Sequence, residues 1–280
     1  MKAYAEFNYW FCPRFDKDRT WAVYDKATKQ YIGNSTELAQ SSDVDPVIEL
    51  ELDQFMHDRP EGCIQQLPDI RDVSTDFDYR EHNAAVIEQY LAGVVLALQW
   101  DGNLFCDPDS AYPTKCIEWL RKSDFYCAPA STQYHESYPG GLCIHTLRVV
   151  TQVLDLVKLN KFATVNPMMA IRAAIVHDWC KIGRYEQFMR NVKDEATGKW
   201  NQVPSYRVKE NNVPFGHGAA SMFMAQHFFK LGIEEALAIR WHQGRWNVCQ
   251  PEQNEFNQAN RTHPMCYLIQ FADSLACTEY

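Results

Sequence analysis

The spacing of hydrophobic and polar positions divides the chain into two textures. In the first 60 or so residues the pattern is that of strands. Trp21–Tyr24 and Tyr31–Ile32 flank the polar stretch 25–30, which predicts a hairpin. Ile48, Leu50 and Leu52 alternate with Glu49 and Glu51, the period of a half-buried strand. Residues 58–80, rich in Asp, Pro, Arg and Gly, read as a connecting segment. From about residue 82 the period becomes helical. Asn83 is placed to cap a helix containing Val86, Ile87, Tyr90, Leu91, Val94, Val95 and Leu98. Further helices are predicted at 113–123, 140–159, 167–182, 217–231, 233–243 and 262–278, with Pro167 and Pro264 in first-turn positions. The polar segment 184–215 interrupts them, and its stretch 194–199 reads as the tip of a small hairpin. The expected fold class is mainly α: a helical bundle over residues 81–280, with a smaller β-containing region and connecting segment over 1–80.

Composition narrows the function. The 280 residues are 46% hydrophobic and 13% aromatic, enough to build a substantial core. A net charge of −9 argues against a general nucleic-acid coat protein, yet leaves room for a local basic pocket. The longest apolar run, Tyr90–Leu98, falls far short of the ~18 residues of a membrane span. Glu6, Asn8, Arg14, Asp16 and Lys17 interrupt any signal-peptide core. The expected location is cytoplasmic, with no membrane partner. Ten cysteines without a Cys-x-x-Cys pair read as mostly buried, reduced thiols.

The candidate chemistry lies in an ordered series: His145, His177-Asp178, His217, His242 and Asp273. Most of these sit inside or against apolar helical runs, such as Ala173-Ala174-Ile175-Val176 before His177. Polar groups buried there need a partner, and a divalent metal serves several at once. Imidazole with carboxylate suits Mn, Fe, Zn or Ni. Each residue also has a plainer reading: His217 as a helix-start residue, Asp273 as a core salt-bridge partner. A second dipeptide, His57-Asp58, has no apolar helix to present it and is set aside.

The whole ordered set, with Lys181 four residues after His177, resembles the HD-domain superfamily over about residues 124–280. It is most similar to the HD domain of bacterial 3′-to-5′ exoribonucleases and related HD hydrolases. The matching blocks are Pro129-Ala130, His135, Gly140-Gly141-Leu142, His145-Thr146-Leu147, His177-Asp178-Trp179-Cys180-Lys181, the 190–208 hairpin and Gly216-His217. Two positions depart from the pattern: Trp179-Cys180 stands where Ile-Gly is usual, and Trp241 where His often precedes the fifth ligand. The resemblance implies an HD-type helical bundle holding one or two divalent ions (Mn, Fe, Ni or Mg). His145, His177, Asp178 and Asp273 would hold the first, His217 and His242 would add the second, and Asp178 would bridge.

The implied activity is metal-dependent hydrolysis of phosphomonoester or phosphodiester bonds through a metal-activated hydroxide, the ions ~3.5–4 Å apart. Asp178 and Lys181 are the expected catalytic residues. Lys181, Arg148 and His135 are the expected substrate contacts, Lys181 because a helix over 167–182 would set it on the face of His177. Tyr134, Tyr138, Trp241 and Trp246 are candidates for base stacking, against the plainer reading as core. The acidic balance favours a small phosphate-bearing partner, a nucleotide or short oligonucleotide, and is compatible with a homo-oligomer. The same ligands also occur in HD-domain di-iron oxygenases. A third reading is a non-catalytic nucleotide-binding module using the β-rich N-terminus as a partner surface.

Overall fold

The computed structural model describes residues 7–13, 21–25, 27–28, 31–58, 80–81, 83–85, 87–88, 112–195, 197–210 and 215–278. Near the N-terminus, β1 (Tyr9–Pro13), β2 (Trp21–Asp25) and β3 (Tyr31–Asn34) form an antiparallel sheet in the order β1-β2-β3. The β2–β3 hairpin is the one expected. Asp25 helps to turn it by accepting hydrogen bonds from the backbone N–H and hydroxyl of Thr28. After α1 (Ser35–Gln40), the alternating stretch at 48–52 is not a strand: it lies in α2 (Pro46–Asp58).

The reason is that the same residues also satisfy the helical period. Ile48, Leu52 and Phe55 are buried on one face, while Leu50 is 68% exposed. Pro46 occupies the first helical position, and the Val47 N–H donates to Asp45 Oδ1 at 2.8 Å. Glu51 turns inward and accepts bonds from the backbone N–H groups of Asn8 and Tyr9, tying α2 to β1. Asn83 also departs from expectation. It lies inside a helical turn, since Arg80 and Glu81 are already helical, and its side-chain amide donates to the Tyr126 carbonyl. The connecting segment and the apolar run Tyr90–Leu98 lie outside the described residues.

The rest is mainly helical, as expected: α3 (Tyr112–Lys122), α4 (Gly141–Leu156), α5 (Pro167–Val176), α6 (His217–Ala225), α7 (Ile233–Trp241), α8 (Gln253–Thr262) and α9 (Pro264–Ala276). The hairpin β4 (Tyr185–Lys193) and β5 (Trp200–Val208) stands between α5 and α6. Helix α8 has no counterpart among the expected elements. Its polar composition hides a narrow apolar stripe at Phe256 and Ala259.

Helices α4, α5, α7 and α9 pack on one another and form the core. Cys116, Cys127, Cys143, Cys180 and Cys266 are buried thiols, as the sequence suggested. No helix among the described residues is long and apolar enough to cross a membrane.

Candidate metal centre

Helix α5 ends earlier than expected. Val176 is its last residue, His177 caps it, and residues 179–181 form a tight 3-10 turn. The His177 Nδ1–H donates to the Ala174 carbonyl at 2.6 Å. That bond fixes the tautomer and aims Nε2, with its lone pair, into the protein. His242 repeats the arrangement at the end of α7: it caps the helix, and its Nδ1–H donates to the Ile239 carbonyl at 2.8 Å. The His242 Nε2 is buried without a hydrogen-bond partner. Two helix C-termini therefore each present an imidazole lone pair to one interior point.

Asp178 occupies that point. Its Oδ1 accepts from His217 Nε2–H at 2.7 Å and lies 3.5 Å from His242 Nε2. Its Oδ2 lies 3.5 Å from His145 Nε2, 3.4 Å from His177 Nε2 and 2.5 Å from Lys181 Nζ. Asp273, from α9, sets Oδ1 3.1 Å from His145 Nε2 and 3.8 Å from His177 Nε2. The His145 and His177 Nε2 atoms stand 3.4 Å apart. All six series residues thus converge, although they come from separate helices. His57 is exposed at the end of α2 and outside the cluster.

Small residues and core anchors make this approach possible. A Cβ at Gly218 would lie 2.2 Å from the Arg240 carbonyl, so the start of α6 rests on the end of α7 and brings His217 to His242. Trp179, the departure at the middle of the His-Asp-x-x-Lys block, is fully buried against Trp119, Phe228 and Phe229. The Cys180 N–H donates to Ser221 Oγ and ties the turn to α6. Lys181 is not on the helical face of His177, because the helix has already ended. The 3-10 turn instead folds it back onto Asp178, and it is buried rather than solvated.

Electrostatics follow from the burial. Burial by itself favours neutral His177, but Asp178 outweighs it, together with Asp273, and raises the pKa. The cluster attracts positive charge onto that nitrogen. Burial also opposes the charge on Asp178, yet Lys181 and His177 hold its carboxyl well below the usual range. His217 is pushed down to about 4 by burial, against the opposing pull of Asp178, so it is a neutral imidazole near neutral pH. Imidazoles and carboxylates in contact form a donor set for a divalent cation, which displaces protons from the ring nitrogens as it binds. Overlapping groups, His145/His177/Asp273 and His177/Asp178/His242, each have their donor atoms within 4.8 Å of one another and could hold a metal ion.

The expected substrate contacts fare differently. Arg148 forms an ion pair with the fully buried carboxylate of Glu136, a competing partner for the phosphate assigned to it. Glu136 also places Oε2 3.8 Å from His145 Nδ1, where it can orient that ring. Sequence reasoning missed Glu136. Its signal is structural: a φ of 41°, and a carbonyl 2.0 Å from where a Gly141 Cβ would stand. His135 stacks near His145 with ring centroids 4.8 Å apart, and burial pushes it down to about 4. Trp241 is core, packed edge-on to Phe256, and Tyr138 packs against the core. Tyr134 and Trp246 are exposed. No protein-family model, curated protein or solved structure matches the chain.

Proposed function

We propose that the chain is a metal-dependent phosphohydrolase of the HD-domain type, cleaving phosphomonoester or phosphodiester bonds of a nucleotide or short oligonucleotide. One observation carries the reading. Asp178 turns Oδ2 toward His145 and His177 and Oδ1 toward His217 and His242. A carboxylate shared in this way between two donor sets suits two neighbouring cations better than it suits a salt bridge. The unpartnered His242 Nε2 supports the same fit.

His145, His177, Asp178, His217, His242 and Asp273 would hold the divalent ions, which would supply Lewis-acid charge for phosphoryl oxygens and acidify a water molecule. The protein's own groups do the rest. Lys181 holds Asp178 Oδ2 and keeps an ammonium beside the position of the phosphoryl oxygens. The buried walls of α4, α5 and α7 exclude bulk water. His217 and Asp273 are the more open members, with side chains 13% and 17% exposed, so a small phosphate ester reaches the cluster from their side.

The test combines metal content with a screen of nucleoside monophosphates, cyclic mono- and dinucleotides and short oligonucleotides, using Mn, Fe, Ni and Mg. Asp178→Ala should lose both bound Mn²⁺ and turnover; activity surviving in that variant would sink the assignment. Turnover should also persist without O₂. Strict dependence on O₂ would move the protein to the oxygenase reading. Bound metal well under one equivalent, with no turnover under any ion, would favour a non-catalytic binding module.

A further inference from the structure

Adjoining the six-residue cluster, a second group of donors gathers around His145, with the Cys277 thiol also 3.9 Å from Asp273 Oδ1. His135, His145 and Cys277 each place one ligand atom within 4.8 Å of the other two. None of the three belongs to this group by accident of local sequence. His135 comes from the loop before α4, His145 from α4, and Cys277 caps α9 one turn beyond Asp273.

The loop is held rigidly. Ser131 Oγ donates to the His135 carbonyl at 2.8 Å, and the Ala130 N–H donates to the Glu136 carbonyl at 3.0 Å. The left-handed backbone of Glu136 and its ion pair to Arg148 set the loop's path over α4. Among the described residues, His135 Nε2 and His145 Nδ1 are buried polar atoms without a hydrogen-bond partner. Two unsatisfied ring nitrogens in a rigid setting beside a thiol are a donor set in want of a cation.

We propose that His135, His145 and Cys277 form a further metal-binding position, adjoining the His/Asp cluster and selective for a thiophilic divalent ion such as Zn²⁺. Two imidazoles with one thiolate suit Zn²⁺ or Co²⁺ and disfavour Mg²⁺, whereas the six residues around Asp178 offer nitrogen and oxygen, with the Cys180 thiol beside Asp178 and His217. On binding, the Cys277 thiol gives its proton to solvent and the sulfur coordinates as thiolate; where His145 serves the hydrolytic centre through its other nitrogen at the same time, its ring N–H proton is also released to solvent, with no change in oxidation state. The position shares His145 with the proposed hydrolytic centre but does not depend on that centre's activity.

Cobalt reports the sulfur directly. The full chain titrated with Co²⁺ should develop a near-ultraviolet sulfur-to-cobalt charge-transfer band. Cys277→Ser should lose it, and His135→Ala should weaken it, both with unchanged far-ultraviolet circular dichroism. Asp178→Ala should retain the band while total bound cobalt falls, so failure of the hydrolytic reading and failure of this one are separable. Alkylation with iodoacetamide gives a second measurement. Zn²⁺ should protect Cys277 and leave the exposed Cys249 reacting at its metal-free rate. Absence of the band at saturating Co²⁺, persistence of the band in Cys277→Ser, or equal alkylation of Cys277 with and without Zn²⁺ would each overturn the proposal.

Discussion

Two buried charged clusters lie along α5, and they are built on opposite principles. At Arg172, the guanidinium grips both oxygens of the fully buried Glu235, with Nη2 to Oε2 at 2.6 Å. Glu235 Oε2 also accepts from the Gly232 N–H at 2.9 Å, closing the start of α7. Each charge meets its complement, and the geometry is complete within the protein. At His177 and Asp178, at the end of the same helix, two carboxylates face a single ammonium and four imidazoles, and ring nitrogens stand against one another. The first cluster is a finished ion pair. The second becomes complete when a cation, proton or metal, joins it. Burial does not separate the two; stoichiometry of donors and acceptors does.

The largest effect should come from breaking the incomplete cluster. Asp178→Ala removes the carboxylate shared by both donor sets and strands the buried Lys181 ammonium. Bound Mn²⁺ should fall to background by elemental analysis, and stability of the metal-free protein should drop by about 3–5 kcal/mol in urea melts. Glu235→Gln tests the finished pair. It should cost a similar ~3–5 kcal/mol, because Arg172 stays buried without its partner, yet leave metal content unchanged. Loss of metal in Glu235→Gln would erase the distinction between the clusters.

Metal itself sharpens the comparison. A divalent ion at a hundred times its Kd should stabilise the folded chain by about 2.7 kcal/mol, with chelation reversing the gain. With Mn²⁺ the increment should be equal in wild type and Glu235→Gln and absent in Asp178→Ala, as read from thermal melts. Gly141→Ala drives a Cβ into the Glu136 carbonyl and should cost about 1–3 kcal/mol, weakening metal retention because the loop beside His145 must move. The smallest effect should be that of Asn166→Ala. It removes the side-chain cap that accepts from the Met168 and Met169 N–H groups of α5, for about 1 kcal/mol. Since α5 carries Arg172 and leads into His177, hydrogen exchange should rise evenly at both clusters. A rise confined to one would show that the helix does not couple them.

Much of the fold was legible because its signals are local. The periods over 140–159, 167–182 and 262–278 identify α4, α5 and α9, and the first-turn prolines mark two helix starts at the right residues. Period misled where two templates fit the same residues. Ile48 and Leu52 obey both a two-residue and a four-residue spacing, and only the burial of Phe55 and the bond from Asn8 to Glu51 select the helix. Helix α8 was missed because its apolar stripe is too narrow to stand out in a polar run. The early end of α5 was missed because hydrophobicity continues through Trp179 and Cys180 after the backbone has turned.

The residues of the His/Asp cluster were legible for a related reason. A histidine or carboxylate within an apolar run is costly wherever the chain places it, so its chemistry is written in its immediate neighbours. Which atom of that residue meets which partner is a different matter. The division of Asp178 between His145/His177 and His217/His242 and the meeting of Cys277 with His135 join segments far apart in the chain, and the seizure of Arg148 by Glu136 joins a helix to the loop before it. No local period encodes such encounters. They are set by how closely α4, α6, α7 and α9 pack, down to the missing Cβ atoms of Gly141 and Gly218.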